Sequence, residues 1–178
     1  QETQSLTLSN HRVQFEHPRW KELGEVTELA NPITVDHTMM RQRILPSLIQ
    51  LLSANRHHEL PQRVYELGTV VSNSQNKTRA AWACAEVGGG FSAAKGFAQA
   101  LLRDLGANLN DIIWQPIETS KGPWLEGRGA RVLIQEKEVG QIGELDPNVS
   151  SEFGLRVPIQ AGEFDIDAIG LLIQDPVL

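Results

Sequence analysis

Three clusters in this 178-residue chain hold groups of the kind that do chemistry. Gly88-Gly89-Gly90-Phe91-Ser92-Ala93 follows an apolar run and opens a helical pattern, which satisfies a GxGxxA spacing. Glycines in that arrangement let main-chain amides approach a pyrophosphate. The same motif calls for an acidic residue about 20 positions on, at the end of the next strand. Asp111 instead precedes its strand, and that strand ends in Gln115-Pro116. A magnesium-binding phosphate loop fits no better, because Lys95 is followed by Gly96 rather than by Ser or Thr. His57-His58-Glu59 offers metal-ligand types, but adjacent histidines point apart and no HxxxH or HExxH spacing accompanies them. Glu163, Asp165 and Asp167 alternate with Phe164 and Ile166, which predicts three carboxylates on one strand face. Such a face holds a hard cation, meets arginines of another chain, or is simply solvated.

Nucleophiles have less support. Cys84 lies in an apolar strand without a basic neighbour, the setting of a structural thiol. Ser47, Ser53 and Ser92 lack a GxSxG context. Arg41, Arg43 and Arg128 sit beside apolar or glycine-rich sequence, where a partly desolvated guanidinium needs a carboxylate. Glu66 and Glu144, each near a glycine on its own strand, are the candidate partners. These pairs close either within the chain or across an interface.

The elements that position these groups read as an α+β fold. Short strands are predicted at 3–8 and 25–29. A helical spacing over Thr38 to Leu52 is broken by Pro46, which predicts two helices with Pro46 opening the second, ending near Asn55. Leu48 and Leu52 fall on the apolar face of that second helix. Strands follow at 62–71 and 80–87. Ser92 is placed to cap a helix to about Leu105, with Phe97, Ala98, Leu101, Leu102 and Leu105 as its inner stripe and Gly106 as its stop. Further strands are predicted at 112–115, 130–135, 139–144 and 159–166, with a short helix after Pro147. Strands joined by short loops favour one antiparallel sheet flanked by helices, in a single unit over 1–178.

Sixteen basic against 22 acidic residues leave a net charge of −6. Wrapping nucleic acid needs clustered Lys and Arg, so that balance argues against it as the main task. Trp20, Trp82, Trp114 and Trp124, among few cations, read as core or protein-contact residues rather than a base-stacking platform. One cysteine cannot form an internal disulfide, and no apolar run approaches the roughly 20 residues of a membrane span. A cytoplasmic protein without a membrane segment is expected, and the start at Gln1 suggests a piece of a longer chain.

Taken in order, these residues resemble a family. Ala30-Asn31-Pro32 and Arg41-Gln42-Arg43-Ile44-Leu45-Pro46-Ser47-Leu48-Ile49 are similar to the NP…RxxLLPGLL segment of phenylalanyl-tRNA synthetase beta subunits. Asn55 and Val64-Tyr65-Glu66-Leu67-Gly68 resemble the family's N…FEiG, and Phe91 to Gly106 its KGxxxxLLxxLG helix. Glu126-Gly127-Arg128-Gly129-Ala130 resembles PGRsA, Ile142 to Pro147 resembles iGElhP, and Glu163 to Asp167 resembles fEldld. Ser47, Asp146 and Asn148 depart from the usual Gly, His and Glu. The chain stops soon after its last strand, like the shorter archaeal or eukaryotic type.

The resemblance implies a class II synthetase-like fold that packs against a catalytic alpha subunit in an α2β2 assembly. It also implies that ATP and magnesium are used in the parent complex and not in this domain, and that tRNA is met only through the whole complex. The sequence supports inactivity independently. Class II chemistry places an arginine after the FEiG-like strand, yet Thr69-Val70-Val71-Ser72-Asn73 holds none, and no Arg or Lys follows Gly162. Without those cations nothing offsets the charge of phosphoryl displacement. Arg41, Arg43, Leu48, Leu52, Glu66, Arg128 and Glu144 are the expected subunit-contact residues, with no catalytic, cofactor or metal residues. An uncovered contact face would also let the isolated chain self-associate. The rival reading is a small-molecule or nucleotide-binding enzyme that uses the Gly88–Gly90 loop.

Overall fold

A strand that is apolar on both sides belongs in the middle of a sheet, and Ala80 to Ala85 is such a stretch. The computed structural model, which describes residues 1–118 and 122–173, puts it there. Strands β1 (Leu8–Ser9) and β2 (Met39–Met40) form a small separate ladder. The main sheet has six strands: β3 (Gln62–Ser72), β4 (Gln75–Ala85), β5 (Ile112–Pro116), β6 (Trp124–Ile134), β7 (Lys137–Leu145) and β8 (Ile159–Asp165). Their spatial order is β3-β4-β8-β7-β6-β5, and every neighbouring pair is antiparallel.

Two apolar layers follow from the alternation along β4. Ala81, Ala83 and Ala85 face helix α1 (Leu45–Ala54), whose Leu45, Leu48, Ile49 and Leu52 are buried among Trp20, Trp124 and Phe153. Trp82 and Cys84 face the opposite layer with helix α2 (Gly90–Asp104) and Phe164, Ile142 and Val132. Helix α3 (Pro147–Glu152) packs in the first layer through Val149, and α4 (Ile166–Leu172) in the second through Ile169. Pro46 stands in the first turn of α1, where its missing N–H costs nothing, and Asn55 ends that helix.

Several elements differ from the expectation. The first of the two helices expected from Thr38 does not form. The backbone of Arg41, Gln42 and Arg43 is irregular, with a bend at Gln42, and bonded elsewhere: Arg41 N–H to the Thr7 carbonyl, Val71 N–H to the Arg41 carbonyl, and the amides of 42 and 43 to Gln14 Oε1. These tertiary hydrogen bonds override the helical spacing. The strand at 3–8 is reduced to Leu8–Ser9 and a parallel bridge between Glu2 and Tyr65. Ser5 accounts for this, since its amide and hydroxyl bond the Glu66 side chain in place of a ladder partner. The strand at 25–29 shrinks to a bridge from Glu28 to Met39.

Ser92 caps nothing. Helix α2 starts two residues earlier, with Gly89 at its cap and the Gly90 amide bonded to Gln160 Oε1. The fully buried face of α2 is Ala94, Ala98 and Leu102; Leu101 and Leu105 pack partly buried against the same layer, as expected, whereas Phe97 is exposed where the helix overhangs β3 and β4. The last strand ends at Asp165 because Asp165 accepts the Ala168 amide and starts α4. A π-helical turn at Arg12–Glu16 had no sequence counterpart.

Candidate functional site

The predicted arginines and glutamates separate into two environments. Arg41 is 1% exposed and Glu66 2%, with Nη2 to Oε1 at 2.6 Å. Ser5 Oγ donates to Glu66 Oε2 and accepts from Arg41 Nη1 at 2.6 Å, while Arg41 Nε donates to the Thr69 carbonyl. The pair therefore closes inside the chain and ties the amino-terminal segment, the stretch after β2 and the edge strand β3 together. Arg43 is also buried: Nη1 donates to the Lys21 carbonyl at 2.9 Å and the guanidinium lies 4.4 Å from the Trp20 ring centroid. Burial pulls its pKa down to about 10. Leu48 and Leu52 are core residues. Five of the seven expected contact residues, Arg41, Arg43, Leu48, Leu52 and Glu66, are thus buried within this chain, Leu52 meeting the surface only as the floor of a groove. A desolvated guanidinium does need partners, and here the partners are its own.

Arg128 and Glu144 differ. Their 3.0 Å pair lies at the far end of the sheet, with the Arg128 side chain 54% exposed. It flanks the start of α2: a Cβ on Gly90 would stand 3.2 Å from Arg128 Nη1 and 3.4 Å from Glu144 Oε2. Beside it, buried Gln160 donates to Glu86, which pairs with Arg63. This end of the sheet presents a preformed polar surface rather than a cavity.

The glycine loop is accounted for by the same carboxamide. Gln160 lies directly against Gly89 and accepts the Gly90 amide, so that amide is already taken and the approach at Gly89 is occupied by a side chain. Of the predicted carboxylate row, Glu163 and Asp165 do share one face and both meet the Arg79 guanidinium, at 3.4 and 3.5 Å, while Asp167 lies beyond the strand. Glu163 is buried and accepts the Ile44 and Leu45 amides at 3.1 and 2.8 Å, capping α1 from across the core, with Arg79 on its other oxygen. Asp165 caps α4, and Asp167, beyond the strand, accepts the Thr78 amide. Each carboxylate is consumed by main chain, which sequence alternation cannot reveal. Among the described residues no group of three or more His, Cys, Asp and Glu side chains has the geometry of a metal site. His57 and His58 stand in an exposed loop, ring to ring at 4.3 Å. Cys84 is buried, and desolvation pushes its thiol up to about 11. Among the described residues no helix is long and apolar enough to cross a membrane.

An antiparallel sheet of this order with helices on both faces is the architecture of class II tRNA synthetases. The chain superposes on the pyrrolysyl-tRNA synthetase structure of Desulfitobacterium hafniense with a TM-score of 0.75 and 11% identity, covering 96% of this chain and 61% of that one. That likeness establishes the fold. Residues 1–166 match the profile of the phenylalanyl-tRNA synthetase beta chain CLM domain, and the chain belongs to that family. Phenylalanine–tRNA ligase beta subunits of Archaeoglobus fulgidus and Methanococcoides burtonii are 36% and 38% identical over 169 and 165 residues, covering 92% and 93% of this chain. The chain spans about three-tenths of those relatives' own length.

Proposed function

We propose that this chain is the non-catalytic, synthetase-like module of a cytoplasmic phenylalanine–tRNA ligase, and that it packs against a catalytic alpha subunit in an α2β2 complex. In that complex ATP, magnesium and tRNA are handled by other parts. One observation carries the reading: a class II-like scaffold that lacks the two arginines such chemistry needs, at 69–73 and after Gly162, in a chain whose family is that of the beta subunits. The sheet face beneath Phe97, Leu101 and Leu105 supports it, because Tyr65, Leu67, Ala80 and Trp82 make it largely apolar and its one arginine, Arg63, is paired with Glu86.

The proposed contact surface includes Arg128 and Glu144. Arg41, Arg43, Glu66, Leu48 and Leu52 contribute indirectly, by fixing α1 and the edge of the sheet. Charge reversal Arg128→Glu in the full-length subunit is expected to weaken association with alpha at least ten-fold, read by surface plasmon resonance, while circular dichroism stays unchanged. Unaltered affinity would move the contact elsewhere.

A further inference from the structure

We propose that the groove between the carboxy-terminal end of α1 and the loop entering β8 is a docking site for a partner polypeptide segment that carries apolar side chains flanked by carboxylates. The argument begins with an inventory of cations. The chain has eleven arginines. Nine have a side-chain hydrogen bond or ion pair within the chain. Among the described residues, only Arg56 and Arg156 lack one, and both are exposed. One hundred positions apart in sequence, they line the same groove.

Two unpaired cations converging on one cleft is an odd arrangement in a chain of net charge −6, where carboxylates are in excess. No carboxylate lines the groove itself, so the two guanidiniums bias its potential positive, with Glu152 on the far side of Arg56. His58 adds a third nitrogen group at the rim.

The groove has a volume of about 530 Å³, and its floor is apolar: Leu52, Ala85, Leu155 and Val157, with Leu60 half exposed at the edge. An apolar floor between cationic walls fits an apolar side chain whose flanking carboxylates reach the guanidinium forks. Phosphodiesters alone would leave that floor unused.

The walls are also held in place. Ser53 Oγ donates to the Phe153 carbonyl, which joins α1 to the loop before β8. Gln62 Nε2 donates to the carbonyls of Asn55 and His58, which fixes the loop on the other side. Gly154, at φ +73°, leaves Arg56 Nη1 3.5 Å from the position a Cβ would take, so the guanidinium lies over that turn. A preformed groove avoids part of the ordering cost of association.

The test uses the full-length chain and a fluorescein-labelled peptide of two leucines with two glutamates on each side. A second peptide has glutamines in place of the glutamates. Anisotropy is expected to show saturable binding of the acidic peptide, at least ten-fold weaker for the glutamine peptide. The double variant Arg56→Glu/Arg156→Glu is expected to weaken the acidic peptide at least ten-fold, whereas Arg103→Glu, on the outer face of α2, leaves it unchanged. Both groove arginines are exposed, so the variant retains its fold. Absence of saturable binding, or binding indifferent to the double reversal, overturns the proposal. So does an RNA oligonucleotide of matched charge that displaces the peptide and depends more strongly on the same two arginines.

Discussion

Arg41 and Glu66 show how a charged pair inside a small domain is made tolerable. The carboxylate takes two bonds from Ser5 as well as the guanidinium, and the guanidinium's Nε is satisfied by the Thr69 carbonyl. Breaking such a pair leaves an unpaired buried charge, costing about 3–5 kcal/mol, whereas replacing both partners by apolar groups is often neutral. Arg41→Met or Glu66→Leu alone should therefore destabilise by that amount in urea unfolding, and the double substitution by much less. Additive losses would contradict the account. His17 offers a second case. Burial and the neighbouring Arg12, whose Nε donates to His17 Nε2 at 2.7 Å, hold its pKa below 6.5. Protonation is penalised only in the folded state, so the unfolded state binds more protons just below pH 6.5 and stability falls as pH drops through that region. The loss of urea midpoint between pH 7 and pH 5.5 should be smaller in His17→Gln than in the parent; an equal loss would show that other groups carry it. The sequence singled out Arg41 and Glu66 as partners because large charged groups amid apolar residues must pair. It was silent on Ser5, Gln14 and Gln160, since a short polar side chain serving the main chain leaves no pattern.

At the scale of elements, periodicity was informative where burial is one-sided and misleading where side chains replace ladder bonds. β4 follows from its nearly unbroken apolar run, and α1 from helical spacing that Pro46 opens. The stretch before Pro46 does not, because Gln14 and the Thr7 carbonyl take up its amides and hold it out of a helix. Hairpin turns show a related mismatch. Asn73 and Ser74 both take positive φ, as a two-residue hairpin of primed type requires, and asparagine suits it. Gln135 and Glu136 do the same at φ 48° and 65°, where their side chains bring strain. Glu136→Gly should relieve about 1 kcal/mol of it and raise the thermal midpoint by a few degrees. A lower midpoint would mean that the turn is not strained there.

For the molecule as a whole, the fold class was legible because strand pairing by short loops constrains topology strongly. The contact surface was not. Whether an arginine's partner lies in its own chain depends on residues far apart in sequence, as with Ser5 and Glu66 around Arg41. The structure thus redirects attention from the buried face of α1, with Leu48 and Leu52, to the polar end of the sheet at Arg128 and Glu144. The central claim is that this scaffold supports chemistry done elsewhere. Phenylalanine-dependent ATP–pyrophosphate exchange tests it most directly, measured on the full-length subunit carrying this chain, alone and after adding the alpha subunit. Exchange should be at background for the subunit alone and appear only with alpha present; exchange by the subunit alone would contradict the account.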